Sequence, residues 1–206
     1  MFGVIVLAAL LAQPEAIPQR LPPVENCSAQ AGLDEFRAQL KGIAARKDEA
    51  ALLAVLAGDV EVNFGGDRGP ALFAANWKFA DSGESHVWNE LRDALSHGCA
   101  ASGDAWVAPS FVTQFPEKLD AFETVILPPG TQLRRDRSAA SAGDGAIDWH
   151  LASIVDDRHE AWINVKLVDG RQGFVRREEV VNPLDYRLVL EKRGGKWMIT
   201  AFVAGD

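Results

Sequence analysis

The chain has 206 residues, 48% of them hydrophobic, which is enough apolar material for one large domain or two small ones and excludes a disordered chain. Its formal charge is −8, with 9 Lys/Arg against 16 Asp/Glu in residues 1–120 and 12 against 13 in the remainder. Such a chain lacks the basic footprint that phosphate neutralisation requires, so nucleic acid is excluded as its main partner.

Phe2 to Ala12 is apolar and uncharged, and a Pro-rich stretch runs from Pro18 to Pro23. That apolar run is too short for a bilayer, which needs about 20 residues, but suits the h-region of a secretory leader. Residues 1–16 read as a signal peptide, giving a periplasmic or secreted protein with no transmembrane span after cleavage. A buried N-terminal strand or helix is the other reading. The only two cysteines, Cys27 and Cys99, read as one disulfide in an oxidising compartment. The alternative makes Cys99, beside His97, a thiol nucleophile.

Leu33, Phe36, Leu40, Ile43 and Ala44 recur at helical spacing and predict an amphipathic helix to Arg46. Asp48 is placed to cap a second helix, Glu49 to Leu56. Val60, Val62 and Phe64 alternate as a short strand, Pro70 opens a helix through Trp77, and Val87, Trp88, Leu91 and Leu95 give another helix stopped by Gly98. Trp106 to Phe115 reads as extended chain broken by Pro109. From Thr124 the character turns to β: Thr124–Leu127, Trp149–Val155, Ala161–Val168, Gln172–Val175, Tyr186–Glu191 and Lys196–Val203 are predicted strands. Asp169-Gly170 and Gly194-Gly195 mark hairpin turns, and Arg135 to Gly145 is a loop.

LRRDRSAASAGDGAIDWHLASIV followed by WINVKLVDGRQGFVRREEVV resembles a bacterial SH3 (SH3b) domain over about residues 124–182, with Leu133, Trp162, Val165, Gly170, Gly173, Phe174 and Val175 at its marked positions. Two departures are Arg135-Asp136-Arg137, where the family has a small residue and proline, and Phe174 in place of the commoner Trp. The expected fold class is α+β: an N-terminal helical α+β region, residues 17–122, followed by an SH3-like small antiparallel β-barrel, residues 123–206. The helix pair, the run Asp59–Gly66 and the terminal GKWMITAFVAG strand also resemble pieces of the NTF2-like cone-shaped α+β fold, in which case residues 183–206 pair with the front domain.

The SH3b resemblance implies a non-catalytic exported module recognising a cell-wall or envelope peptide, glycan or protein, with Trp149, Trp162, Phe174 and Tyr186 lining its groove. A structural or assembly role in the envelope is a second reading. A third is a small hydrolase or lyase using a pocket of the front domain with Asp67, His86 or His97. His150 with Asp156, Asp157, His159 and Glu160 reads as a charged turn between strands rather than a metal site, because ligands on different strands lack a shared helical face. Asp67, Asp81, Glu84, His86 and Glu90 read as a solvated acidic patch. Gly65-Gly66-Asp67-Arg68-Gly69 lacks the Lys-Ser/Thr of a phosphate loop. The sequence assigns no cofactor, no metal ion and no catalytic residue.

Overall fold

The computed structural model describes residues 16–80 and 85–205. The expected leader therefore lies outside the described residues, apart from Ala16. Among the described residues, four α-helices, α1 (Leu33–Arg46), α2 (Glu49–Ala54), α3 (Pro70–Asn76) and α4 (Val87–Ser96), occupy the front half. The strands described run among and after them: β1 (Leu56–Glu61), β2 (Ala100–Ser102), β3 (Ala105–Ala108), β4 (Thr124–Leu127), β5 (Leu133–Arg134), β6 (Gly143–Asp144), β7 (His150–Asp156), β8 (Trp162–Leu167), β9 (Gln172–Arg176), β10 (Arg187–Arg193) and β11 (Lys196–Val203). Among the described residues no helix is long and apolar enough to cross a membrane.

The helices form where the periodicity and caps place them. α1 buries Leu33, Phe36, Leu40 and Ile43 on one stripe and carries Asp34 and Glu35 in its first turn, where the helix dipole favours negative charge. The Asp48 side chain accepts a hydrogen bond from the Ala51 amide at 3.0 Å, satisfying an orphan N–H at the start of α2. α4 turns Val87, Trp88, Leu91, Ala94 and Leu95 inward. At its C-terminal side Gly98 has φ +72, and a Cβ there would meet the Val24 carbonyl oxygen at 2.2 Å, so only glycine lets the N-terminal segment pass so closely.

Two sheets follow. The first has the order β1-β11-β10-β3-β2, with β1 parallel to β11 and the other neighbours antiparallel. Its centre is the hairpin β10–β11, and Leu188, Leu190, Ile199 and Phe202 join the core with α1, α3 and α4. The register shifts because Leu190 pairs with Ile199 while Val189 pairs with Ala201, leaving Thr200 as a bulge. That extra residue puts Phe202 on the same face as Ile199, which strict alternation would forbid.

The second sheet has the order β4-β7-β8-β9-β5-β6, all antiparallel. Val125, Leu127, Ala152, Ile163, Val165 and Val175 fill one face. β4 is buried on both faces, because Ile126 packs the other way with Leu21, Phe111 and Leu151 in a seam between the two bodies. β9 lies so close to β5 that a Cβ on Gly173 would meet the Arg134 carbonyl oxygen at 2.6 Å.

The N-terminal segment straps both bodies. The Leu21 amide donates to the Trp149 carbonyl at 2.8 Å and the Leu151 amide to the Gln19 carbonyl at 3.0 Å; farther along, the Cys99 amide donates to the Val24 carbonyl at 2.9 Å. Cys27 and Cys99 then form a disulfide with Cα atoms 5.6 Å apart, both side chains fully buried.

This arrangement overturns the expectation of a helical front half followed by an SH3-like barrel. β10 and β11 leave the preceding strands and become the middle of the first sheet. Among the described residues no ladder joins β4 to β6, so the second sheet is open rather than a closed barrel. The physical reason is that alternation states which face of a strand is apolar but not which sheet will cover it. Leu188, Leu190, Ile199 and Phe202 find their apolar neighbours under α1 and α4, and the last two strands go there.

Candidate functional site

A cavity of about 480 Å³ opens at the seam between the two bodies. α4 contributes Glu90 and Asp93, and its C-cap residue His97 follows on the same side, the three spaced i, i+3 and i+7 beside the buried face of the helix. Pro109 and Phe111, just after β3, give an apolar wall. The loop from Pro128 to Thr131 and the segment from Glu178 to Val181 close it from the second sheet, and Asp185 and Tyr186 enter from the approach to β10.

His97 is held by its own helix. Its Nδ1 lies 2.9 Å from the Asp93 carbonyl oxygen and 3.2 Å from the Ser96 hydroxyl. A carbonyl can only accept, so the neutral ring that makes this bond carries its proton on Nδ1 and keeps a lone pair on Nε2. The ring is steadied edge-on by Trp149, with centroids 5.5 Å apart, and by Phe111 at 5.9 Å. Asp185 sits in a turn: Asn182 donates its amide to the Asp185 carboxylate at 3.3 Å, and the Asn182 side chain accepts from the Leu184 amide at 2.9 Å.

The acids divide into two kinds. Glu179 pairs with Arg134 at 3.2 Å and Glu178 with Arg176 at 3.0 Å. Glu90, Asp93 and Asp185 have no cationic ion-pair partner among the described residues. Partial burial pushes the Glu90 carboxyl above its ordinary range, and the negative charges of Asp185 and Asp93 push it further. Asp185 is raised for the same reasons, burial first and Asp93 next, with the Asn182 amide and His97 opposing. The Tyr186 hydroxyl is raised by burial and by Glu90.

A second cavity of about 290 Å³ adjoins the first, sharing Glu90 and Tyr186 and adding Asn76, Trp77, Lys78 and His86. Tyr186 and Trp77 pack with ring centroids 4.7 Å apart, and Phe202, brought to this face by the Thr200 bulge, lies 5.3 Å from Trp77 and 5.2 Å from Tyr186. Trp77 is only 6% exposed, and its indole N–H has no acceptor among the described residues.

The four groove residues expected from sequence are placed in different surroundings. Tyr186 lines both cavities, and Trp149 packs against His97 from the seam. Trp162 and Phe174 lie on the outer face of the second sheet. Trp162 is covered by the guanidinium groups of Arg134 and Arg176 at 5.6 and 5.4 Å, and Phe174 by Arg137 at 5.2 Å.

Of the histidines and acid considered for a hydrolase or lyase, His86 and His97 sit at opposite ends of α4 on the two cavities. Asp67 lies in an exposed turn, accepting from the Asn63 side chain at 2.9 Å. His150 is buried, with Nδ1 accepting from the Asp148 amide at 3.0 Å, while His159 accepts from the Ala161 amide at 3.1 Å on the surface. Among the described residues no group of three or more His, Cys, Asp or Glu side chains is placed to hold a metal ion. Asp81 and Glu84 lie outside the described residues. Sequence reasoning missed Asp93 and Asp185. The spacing of Glu90, Asp93 and His97 was a usable signal, whereas nothing local marks Asp185.

No family model and no curated protein matches the chain. Among solved structures, a ketosteroid isomerase candidate from Shewanella frigidimarina is similar over 85% of this chain and 96% of its own, at 13% identity and a TM-score of 0.32. An NTF2-like protein of unknown function from Pseudomonas putida is similar over 87% of each chain, at 10% identity and a TM-score of 0.32. The neighbours are NTF2-like, and nothing in the comparisons supports the SH3b resemblance. At these scores the likeness transfers neither activity nor site residues.

Proposed function

We propose that this chain binds a small organic molecule in the seam cavity and carries out proton-transfer chemistry on it, of the hydrolytic or eliminative class. His97 Nε2 is the base, and a protonated Glu90 or Asp185 is the acid. One observation carries the reading: a single cavity gathers an imidazole whose Nδ1 is committed to a carbonyl and two carboxyls that their surroundings bias toward the protonated form. A proton acceptor and proton donors lining one cavity are what acid–base catalysis requires. In an elimination, Nε2 accepts the proton from carbon while the carboxyl gives one to the departing oxygen, which leaves as water or an alcohol. Solvent then returns the proton from imidazolium to carboxylate. In hydrolysis the first proton comes from the attacking water.

The Cys27–Cys99 disulfide supports an oxidising compartment, the periplasm or the exterior. Ligand-observed NMR of the full chain against a library of small organic molecules, with product analysis of every binder, tests the reading. Conversion of a binder, lost in His97→Gln with binding retained, supports it. Binders that are never converted overturn the chemistry and leave the non-catalytic binding role, an envelope ligand included.

A further inference from the structure

His150 is only 4% exposed and stands at the start of β7, with Leu127 of β4 on one side and Arg20 of the N-terminal strap on the other. Its Nδ1 accepts the Asp148 amide at 3.0 Å, which leaves the proton of the neutral ring on Nε2, 3.4 Å from an Arg171 guanidinium nitrogen. Both ring nitrogens therefore face N–H groups. The charged groups packed around the ring are Arg20 from the strap, Asp148 beside it, Asp169 and Arg171 from the β8–β9 turn and Asp144 of β6, while β4 brings none. The three carboxylates are already engaged, Asp148 by Arg20 and the other two by Arg171.

The Asp148–His150 contact spans a single residue, Trp149, whose φ of +51 lies in the left-handed region that favours glycine. A bulky residue keeps that backbone only while its neighbours impose it. Here the imposing contacts are the Asp148 amide on His150 Nδ1 at 3.0 Å and the Leu21 amide on the Trp149 carbonyl at 2.8 Å. The turn sets the half-buried indole against Leu21, Phe111, Ile126 and Leu151 and edge-on to His97, with ring centroids 5.5 Å apart. We infer that His150 is a pH switch for the seam cavity: protonation of Nδ1 sets two N–H donors head to head, the turn opens, and Trp149 withdraws its indole from His97. Burial opposes that protonation first, and the charges of Arg20 and Arg171 oppose it further, against Asp169 and the Asp148 backbone. The turn is thus closed at neutral pH and opens as pH falls below the ordinary histidine value of about 6.5. The inference rests on the proposed function only in taking His97 as part of the ligand site, and it concerns the conformation of that site rather than turnover.

The test follows the isotope-labelled full chain by NMR from pH 7.5 to pH 4.5, with the Trp149 indole and the His97 and His150 rings assigned by triple-resonance spectra. The Trp149 indole resonance is expected to shift with the same midpoint as the His150 ring, below about pH 6.5, and the nuclear Overhauser contact between Trp149 and His97 to fall about threefold or more across it. His150→Gln keeps an acceptor for the Asp148 amide but takes up no proton, so the Trp149 transition vanishes and the contact with His97 persists to pH 4.5. His97→Gln keeps the Trp149 transition at its midpoint, which separates the switch from titration of His97 itself. The shared midpoint is read in the natural chain, so the test does not depend on either variant folding. A His150 ring that titrates while Trp149 stays in place, a Trp149 transition that survives in His150→Gln, or global unfolding before His150 takes up its proton overturns the inference. The switch observed in a protein that converts no binder removes the proton-transfer reading alone. Conversion of a binder through His97, with Trp149 unmoved by the His150 titration, removes this inference alone.

Discussion

The Nδ1 atom of His97 lies 2.9 Å from the main-chain carbonyl oxygen of Asp93, one helical turn earlier on α4. The imidazole is thus oriented by the backbone of the helix that it follows, and its Nε2 has no hydrogen-bond partner among the described residues. Long-range 1H–15N spectra of the neutral ring are expected to show the Nδ1–H tautomer as the main species. A dominant Nε2–H tautomer removes His97 as the base.

Glu90 gives a stability prediction with a definite sign. Its carboxyl is raised in the folded protein by burial and by the charges of Asp185 and Asp93. Ionisation therefore opposes folding: the group's contribution is fully favourable below its unfolded range and is lost as pH rises through the higher folded value. Glu90→Gln is expected to raise the melting temperature by about 1–3 °C near pH 7, with the gain vanishing on acidification toward pH 4. A variant that melts lower at pH 7 contradicts the crowding argument.

His150 works in the opposite direction along the pH axis. Burial lowers its pKa, the positive charges of Arg20 and Arg171 lower it further, and its Nδ1 accepts from the Asp148 amide. Its contribution is present above the ordinary histidine value of about 6.5 and is lost as pH falls through the lower folded value. Melting curves between pH 7 and pH 5 are expected to fall for the natural chain and to flatten in His150→Gln, which keeps an acceptor for the amide. An unchanged slope in the variant places the acid sensitivity elsewhere.

Cys27 and Cys99 close a loop over a sequence separation of 72. In the chain-entropy model that crosslink stabilises the fold by roughly 4 kcal/mol. The double variant Cys27→Ser, Cys99→Ser is expected to lose about 3–5 kcal/mol in urea denaturation, with no titratable thiol in the native oxidised protein. Two reactive thiols in that protein would remove the crosslink and, with it, the support for an oxidising compartment.

The helices were legible because the apolar stripes and the Asp48 cap are local features: α1 spans Leu33–Arg46 as its periodicity states, and α4 ends before Gly98. β4 and β11 likewise coincide with their runs at Thr124–Leu127 and Lys196–Val203. The short β2, β5 and β6 were not legible. Two or three residues such as Gly143–Asp144 carry no periodicity, and partners distant in sequence make them strands. Of the site, His97, Glu90 and Tyr186 were visible singly, but Asp185 gains its meaning only from chain folded around it.

By itself the sequence determined the main helices and the longer C-terminal strands, which of their faces are apolar, and the acidity of its front half, while it set the first strand at Val60–Phe64 where the structure has β1 at Leu56–Glu61. These follow from short-range spacing and composition, which each segment carries with it. Only the tertiary structure decided that β10 and β11 return to the front sheet, that the second sheet stays open, and that α4, the 128–131 loop and Asp185 meet around one cavity. Those outcomes depend on which apolar faces cover one another across more than a hundred residues, and a strand's alternation is the same whichever neighbour it finds.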